Sequence, residues 1–289
     1  MNRRNFFKSA ALAAPAVSFL NPSCISNTNS PSVTVRDRFW IWSHEAGAYN
    51  GQWGLPKDSR ITPVEGAAYM NVPNIIFVRY EDKPVPPFFQ LAVPFWAMKN
   101  VFWSITGASG LTSDEERKHV FDLAAQNPNI TGFMMDDFFQ GESGASLSIE
   151  ELTDIRSRLT INGIPRKICV TLYTHQILPQ FREHLALCDV ISLWTWKAED
   201  LKDLEANFRK LKELCPDHEL LLGCYMWDFG VKQPMPLDQM KRQCELGLEW
   251  LKKGDIQGMI FLATNICDIE LETVKWTREW IRAVGSNLL

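Results

Sequence analysis

Eight short apolar runs, separated by helix-like segments, constrain the fold of this chain more than any other feature. Each run is rich in β-branched or aromatic residues, which is typical of a buried strand. The runs cover residues 39–43, 74–79, 100–106, 131–136, 167–173, 190–195, 220–226 and 257–263. No glycine-rich nucleotide fingerprint follows the first run, so the alternation favours a closed parallel barrel over a Rossmann sheet. We therefore predict an α/β protein with a (β/α)₈ barrel.

The segments between the strands carry helix start and stop signals. Capping boxes stand at 113–116 and 148–151, where a serine is followed three residues later by a glutamate. Together with apolar residues at three- and four-residue spacing, they predict helices over 114–126, 152–159, 198–215, 237–253 and 270–284. The first two connections carry weaker signals: the segment 63–70 is short, and prolines between 84 and 94 interrupt the second connection, so we expect irregular loops there.

The composition is that of an ordinary globular protein. The chain has 289 residues, of which 46% are hydrophobic, enough for one large core. The net charge of −4 argues against a general nucleic-acid binder, so we expect no nucleic-acid partner. No composition shift divides residues 36–289, which we predict to form one domain. Six cysteines in that part are widely spaced and predict buried thiols rather than a zinc site.

The amino-terminal segment predicts export. Arg3 and Arg4 precede a short apolar stretch that resembles a twin-arginine export signal, which we assign to residues 1–24. The stretch Leu20-Asn-Pro-Ser-Cys24 resembles a bacterial lipobox, in which a lipid on Cys24 would anchor the protein to a membrane. Alternatively, cleavage occurs nearby without lipidation and Cys24 is incidental. Residues 25–35 are interpreted as a flexible tether, and the expected location is the periplasm or a membrane surface.

Two adjacent carboxylates, Asp136 and Asp137, follow the fourth predicted strand and precede two phenylalanines. A barrel places its catalytic groups at this end of its strands. Burying unpaired carboxylates is costly, so the pair requires a solvent-filled opening, a cation or a proton. Alternatively, the first aspartate caps the next helix and the second is simply exposed to solvent.

Aromatic and polar residues follow most of the other strands as well. Aromatic faces pack against the C–H faces of sugar rings, while carboxylates and amides bond the hydroxyls, so the set predicts a carbohydrate site. Tryptophans would form the platform, and Tyr173, His175 and Asn265 would orient hydroxyls. The predicted substrate-binding residues are His44, Tyr80, Trp103, Tyr173, His175, Trp194, Trp196, Tyr225, Trp227 and Asn265. Alternatively, the aromatics only line the top of the core with their polar ends in water.

Glycoside hydrolysis requires two carboxyl groups, an acid with a raised pKa and a nucleophile or base. Neighbours in an extended strand point to opposite sides, so only one of Asp136 and Asp137 is expected to face the site. Asp228, after the seventh strand, is then the natural second catalytic carboxylate, with Glu45 and Glu81 as rivals.

Two segments resemble glycosidase barrels, including chitinase-like ones. The segment 132–137, Gly-Phe-Met-Met-Asp-Asp, is similar to their fourth-strand acidic motif, and 225–230 is similar to their Met-x-Tyr-Asp-Phe segment. The resemblance implies a glycosidase acting on an extracellular or periplasmic glycan. Chitinase-like enzymes place a glutamate two residues after the last aspartate of the motif, whereas Phe138, Phe139 and Gln140 follow Asp137 here. This departure argues against a chitinase-type acid.

Two rival functions remain open. A metal-dependent hydrolase would use nitrogen and oxygen ligands from the strand ends. The candidate ligands are His44, Glu45, Asp136, Asp137, His175 and Asp228, but no His-x-His motif lies on the first strand. A non-catalytic glycan-binding lipoprotein would need the aromatic residues but no catalytic carboxylate pair. For the glycosidase we expect neither a metal nor another cofactor.

Overall fold

The computed structural model describes residues 32–108, 112–141 and 144–289 of the chain. Eight parallel strands close into a barrel in which each strand pairs with its neighbours in the sequence, and β1 pairs with the last strand. The strands are β1 (Phe39–Ser43), β2 (Asn74–Phe77), β3 (Asn100–Thr106), β4 (Ile130–Met135), β5 (Lys167–Tyr173), β6 (Val190–Trp194), β7 (Glu219–Tyr225) and β8 (Gly258–Leu262). The predicted (β/α)₈ barrel is confirmed, because each strand lies at one of the predicted runs.

One α-helix follows each strand and packs outside the barrel. The helices are α1 (Pro63–Met70), α2 (Phe89–Ala92), α3 (Asp114–Gln126), α4 (Ile149–Ser157), α5 (Arg182–Leu185), α6 (Leu204–Leu214), α7 (Leu237–Lys253) and α8 (Glu272–Val284). The predicted start of α4 at residue 152 is wrong. Ser148 caps the helix by accepting a hydrogen bond from Glu151 N at 3.2 Å, so the helix begins three residues earlier, at Ile149.

The proline-rich connection between β2 and β3 is irregular, as predicted, and contains only the short helix α2 and a 3₁₀ turn at Val93–Ala97. After α4, Asn162 and Gly163 adopt φ values of 51° and 75° and turn a two-residue hairpin. The six cysteines from Cys169 onward are buried and free of disulfides, in agreement with the predicted buried thiols.

The packed part of the chain extends back to Val33, three residues into the predicted tether. Val35 is fully buried, and its N–H donates to Asn287 O at 2.9 Å. Leu289 N donates to Val33 O at 3.0 Å, so residues 33–35 pair with the carboxyl-terminal residues 287–289. The predicted export signal, Cys24 and most of the tether lie outside the described residues. No helix within 32–108, 112–141 and 144–289 is long and apolar enough to cross a membrane.

Candidate active site

A pocket of about 530 Å³ opens at the carboxyl ends of the barrel strands. All eight strands, or the loops that directly follow them, contribute to its wall, so it lies on the barrel axis. The lining residues are Trp42, His44, Tyr49, Trp53, Tyr80, Ala108, Asp136, Asp137, Thr171, Tyr173, Trp194, Trp196, Tyr225, Phe229 and Leu262.

Both neighbouring carboxylates face this pocket, which the expectation of opposite directions did not foresee. The alternation of side chains applies only to extended backbone. Asp136 continues β4, its N–H donating to Thr106 O at 3.0 Å, but Asp137 has a φ of 43°. This left-handed conformation brings its side chain to the same pocket. A non-glycine residue with such a φ costs about 1–2 kcal/mol, and such residues are enriched at functional sites.

The surroundings of Asp136 favour its protonated form. Its side chain is only 7% exposed, and burial together with the neighbouring Asp137 charge raises the pKa of this carboxyl well above its usual range. The Thr171 hydroxyl donates to Asp136 Oδ1 at 3.1 Å, which opposes the shift without cancelling it. A carboxylic acid whose pKa is raised in this way is suited to act as a general acid.

Asp137 is oriented by a tyrosine of the pocket wall. The Tyr173 hydroxyl donates to Asp137 Oδ1 at 3.1 Å and also bonds the hydroxyl of Tyr225. Burial raises the pKa of both tyrosines well above the ordinary value, and the nearby aspartate charges add to this shift. Both hydroxyls therefore keep their protons, and Tyr173 uses its single proton in the bond to Asp137.

His44 forms the pocket wall on the opposite side and is neutral. Burial lowers the pKa of its imidazole to about 4, against the effect of its hydrogen bond to Val78 O at 2.8 Å. That bond places the proton on Nδ1, so Nε2 accepts from the Tyr49 hydroxyl, also at 2.8 Å. The imidazole thus fixes Tyr49 in the wall rather than offering a charge to a ligand.

The loop between β1 and α1 covers this side of the pocket. Trp53 Nε1 donates to the Tyr80 hydroxyl at 3.1 Å, and that hydroxyl donates to Gln52 Oε1 at 2.5 Å. Trp227 Nε1 donates to Trp53 O at 3.0 Å and attaches the loop to the end of β7. The aromatic rings of this loop are therefore held in fixed positions.

Only part of the predicted tryptophan platform lies in the pocket. Trp194 and Trp196 line it, whereas Trp103 and Trp227 do not. Trp103 is fully buried and packs on the outside of the barrel, 4.6 Å from the Phe77 ring and 5.3 Å from the Phe95 ring. Trp227 holds the covering loop instead. Both assignments are corrected, because a strand buried on both faces gives no sign of which aromatic side chain points inward.

Asp228 is separated from the carboxylate pair. It does not line the pocket, and its two oxygens accept backbone hydrogen bonds, Oδ2 from Ala198 N at 3.0 Å and Oδ1 from Val231 N at 3.2 Å. Glu45 also lies off the pocket wall. The structure therefore does not place Asp228 or Glu45 in the pocket with the fourth-strand aspartates, and the predicted pairing is corrected.

Asn265 and His175 occupy positions different from those predicted. The Asn265 amide bonds the backbone of the first loop, donating to Glu45 O at 2.8 Å and accepting from His44 N at 3.1 Å. It positions His44 and does not line the pocket. His175 is exposed just outside, stacked on the Tyr173 ring at 5.6 Å. His44, Tyr80, Tyr173 and Tyr225 do line the pocket.

Several lining residues were missed by the sequence analysis. Thr171 precedes Tyr173 by two positions on β5, and this spacing could have placed both on the same face. Tyr49, Trp53 and Phe229 lie in loops, where no periodicity indicates direction. With Trp42 on β1, the missed aromatics add four rings to the pocket wall.

The histidines and carboxylates proposed as metal ligands are dispersed. Within the described part of the chain, no group of three or more His, Cys, Asp or Glu side chains is close enough to hold a metal ion. His44 is engaged by Val78 and Tyr49, His175 is exposed, and Asp228 bonds backbone N–H groups elsewhere.

Comparison with solved structures identifies other barrels of this fold. A proposed alpha-L-fucosidase from Bacteroides thetaiotaomicron superposes with a TM-score of 0.56 at 10% identity, covering 94% of this chain and 99% of that one. A chitinase domain from Pyrococcus furiosus superposes with a TM-score of 0.55 at 13% identity, covering 88% of this chain and 98% of that one. A xylanase-α-amylase inhibitor protein superposes with a TM-score of 0.54 at 13% identity, covering 86% of this chain and 98% of that one. No family model matches the sequence, and the search of curated proteins finds no significant match. The structural neighbours thus include glycosidase barrels, and the likeness at these identities is one of fold.

Proposed function

We propose that this protein is a glycoside hydrolase whose catalytic pair is Asp136 and Asp137. The observation that carries the proposal is a buried carboxyl group of raised pKa beside a second carboxyl group in one aromatic pocket. Within the described residues, these two are the acidic side chains of the pocket wall. Glycosidases require such a difference between two neighbouring carboxyl groups.

In the proposed reaction, Asp136 gives its proton to the glycosidic oxygen while the bond from that oxygen to C1 breaks. The bonding electron pair stays on the oxygen, which leaves as a hydroxyl group. The Asp137 carboxylate faces the positive charge that develops at C1, and Tyr173 holds it in place. Water supplies a hydroxyl group to C1, and its remaining proton restores the Asp136 acid.

The aromatic wall supplies the binding surface for the sugar. Trp194 and Trp196 line the pocket beside Tyr225, with ring centroids 4.9 Å and 5.8 Å from it. Their faces suit the C–H surfaces of a sugar ring, and the tyrosine hydroxyls suit its oxygens. The proposal therefore names a carbohydrate as the substrate.

The proposal is tested by incubating the protein without residues 1–24 with plant, microbial and host glycans and measuring released sugars by mass spectrometry. Asp136→Asn and Asp137→Asn should each reduce release by about 100-fold or more. The matched control is Asp217→Asn, since Asp217 is an exposed aspartate away from the pocket. Binding of a glycan without release by the folded wild-type protein would favour a glycan-binding protein instead.

We further propose that the chain is exported and anchored through a lipid on Cys24, on the basis of the motif at residues 20–24. Expression of the full chain in a bacterial host should place the protein in the membrane fraction. Cys24→Ser should move it to the soluble fraction, whereas Cys267→Ser should not. An intact mass without acyl chains on the wild-type protein would contradict the anchor.

A further inference from the structure

A second pocket adjoins the first at the ends of β4 to β6. It has a volume of about 910 Å³ and shares Asp137, Tyr173 and Trp196 with the first pocket. Its other polar wall residues are Gln140, His175 and Gln176. Because the two spaces meet at three common side chains, a ligand can extend from one to the other past Asp137.

Hydrogen bonds and ring stacking hold the wall residues of the second pocket in place. Gln176 is 5% exposed, its Nε2 donating to Phe139 O at 2.9 Å and its Oε1 accepting from Tyr173 N at 3.0 Å. His175 stacks on the Tyr173 ring with an interplanar angle of 8°. The two rings present flat apolar faces, which suit a sugar ring as those of the first pocket do.

One side of the first pocket is an aromatic wall. Tyr49, Trp53 and Phe229 contact one another there, with ring centroids 5.5 Å apart for Tyr49 and Phe229 and 5.6 Å apart for Trp53 and Phe229. Trp227 Nε1 donates to Trp53 O and holds this wall in place. Away from this wall, the adjoining second pocket gives a sugar chain a path out of the first pocket, over Asp137 and toward His175.

We infer that the protein acts on the end of a glycan chain, with the terminal non-reducing sugar in the first pocket and the next sugar in the second. This inference rests on the proposed glycosidase function and adds the class of substrate. The glycosidic bond then lies at the boundary between the pockets, where Asp137 belongs to both walls. Each event would release one monosaccharide, and bonds inside a long chain would not reach the pair.

The first experiment follows the products over time. Linear tetrasaccharides of the sugars released in the glycan screen, labelled at the reducing end with 2-aminobenzamide, are incubated with the wild-type protein. The expected labelled products appear in the order trisaccharide, disaccharide and monosaccharide, with free unlabelled monosaccharide from the start. Labelled disaccharide appearing first, with unlabelled disaccharide, would overturn terminal action while leaving the glycosidase function intact.

The second experiment addresses the second pocket. His175→Ala should lower kcat/KM for the disaccharide about tenfold relative to kcat/KM for the glycosyl fluoride of the same sugar, since fluoride leaves the second pocket empty. The matched control is His119→Ala on α3, which should leave this ratio unchanged. An unchanged ratio in His175→Ala would overturn the role of the second pocket.

Affinity measurements separate this inference from the proposed chemistry. In an Asp136→Asn background, His175→Ala should weaken binding of the disaccharide and not of the monosaccharide, as measured by calorimetry. Equal affinities of both sugars in the Asp136→Asn protein with His175 intact would refute a second sugar position. A protein that binds the disaccharide in this way but releases no sugar would overturn the proposed function and terminal cleavage together, and would leave the two sugar positions as those of a binding protein.

Discussion

At the scale of single residues, the site depends on one change of backbone direction. Asp136 ends a buried strand, and Asp137 follows with a φ of 43°. Two carboxylates that an extended strand would point apart are thereby brought to one pocket. Burial, and then the neighbouring Asp137 charge, disfavour ionisation of Asp136. The raised pKa of Asp136 is therefore a consequence of this local geometry.

The raised pKa predicts how Asp136→Asn changes stability with pH. At pH values well below 4, Asp136 is protonated in both the folded and the unfolded chain, and its effect on stability is smallest. As the pH rises, the unfolded aspartate ionises while the buried one keeps its proton. The wild-type protein should then lose about 1.4 kcal/mol per pH unit relative to the variant, up to the folded-state pKa. Urea unfolding of both proteins between pH 4 and 8 measures this. A difference in unfolding free energy between wild type and variant that stays constant over this range would contradict the raised pKa.

Asp228 has a structural role that a second variant should reveal. Asp228→Asn replaces one of the two oxygens that accept backbone N–H groups, so stability should fall by about 1–3 kcal/mol. Turnover by the folded variant at 20 °C should stay within about threefold of wild type, since Asp228 lies off the pocket. A loss of turnover comparable to that of Asp137→Asn, without loss of stability, would return Asp228 to the catalytic pair.

At the scale of elements, the sequence predicts strands better than it predicts which face a side chain takes. β1, β3 and β5 lie at the predicted bounds, because apolar β-branched runs mark them clearly. Trp103 and Trp194 are both aromatics near strand ends, yet one packs outside the barrel and the other lines the pocket. Parallel barrel strands are apolar on both faces, so no alternation of polarity distinguishes the two.

The loop between β1 and α1 should depend on the hydrogen bond from Trp227. Trp227→Phe keeps an aromatic ring but removes the N–H that bonds Trp53 O. Loss of one hydrogen bond costs about 1 kcal/mol, so amide hydrogens of residues 50–55 should exchange about fivefold faster. Hydrogen exchange followed by mass spectrometry measures this, with Trp276→Phe on α8 as the matched control. Unchanged exchange in residues 50–55 would show that the loop is held by other contacts.

At the scale of the whole molecule, barrel closure determines the position of the site. The alternation of strands and helices predicts the barrel, and the barrel predicts that the ends of its strands meet at one opening. Asp136, Tyr173 and Tyr225 were found in this way. The loop residues Tyr49 and Phe229 could not be, because their positions follow from contacts between distant segments rather than from local periodicity.

Pairing of the chain ends should stabilise the barrel without affecting the pocket. Removing residues 287–289 deletes the carbonyl that accepts from Val35 N and the N–H that donates to Val33 O. Two backbone hydrogen bonds contribute about 2 kcal/mol, so the Tm should fall by roughly 4–8 °C. Thermal unfolding followed by circular dichroism measures this, and kcat at 20 °C should be unchanged. A Tm equal to that of the full chain would contradict the role of this pairing.

The central claim is that Asp136 gives its proton to the departing oxygen, and the dependence on the leaving group tests it most directly. The measurement compares kcat/KM of wild type and Asp136→Asn on a natural disaccharide and on the 2,4-dinitrophenyl glycoside of the same sugar, whose leaving group needs no proton. The account predicts a loss of about 1,000-fold on the disaccharide and less than about tenfold on the dinitrophenyl glycoside. Equal losses on the two substrates would contradict the assignment of Asp136 as the acid.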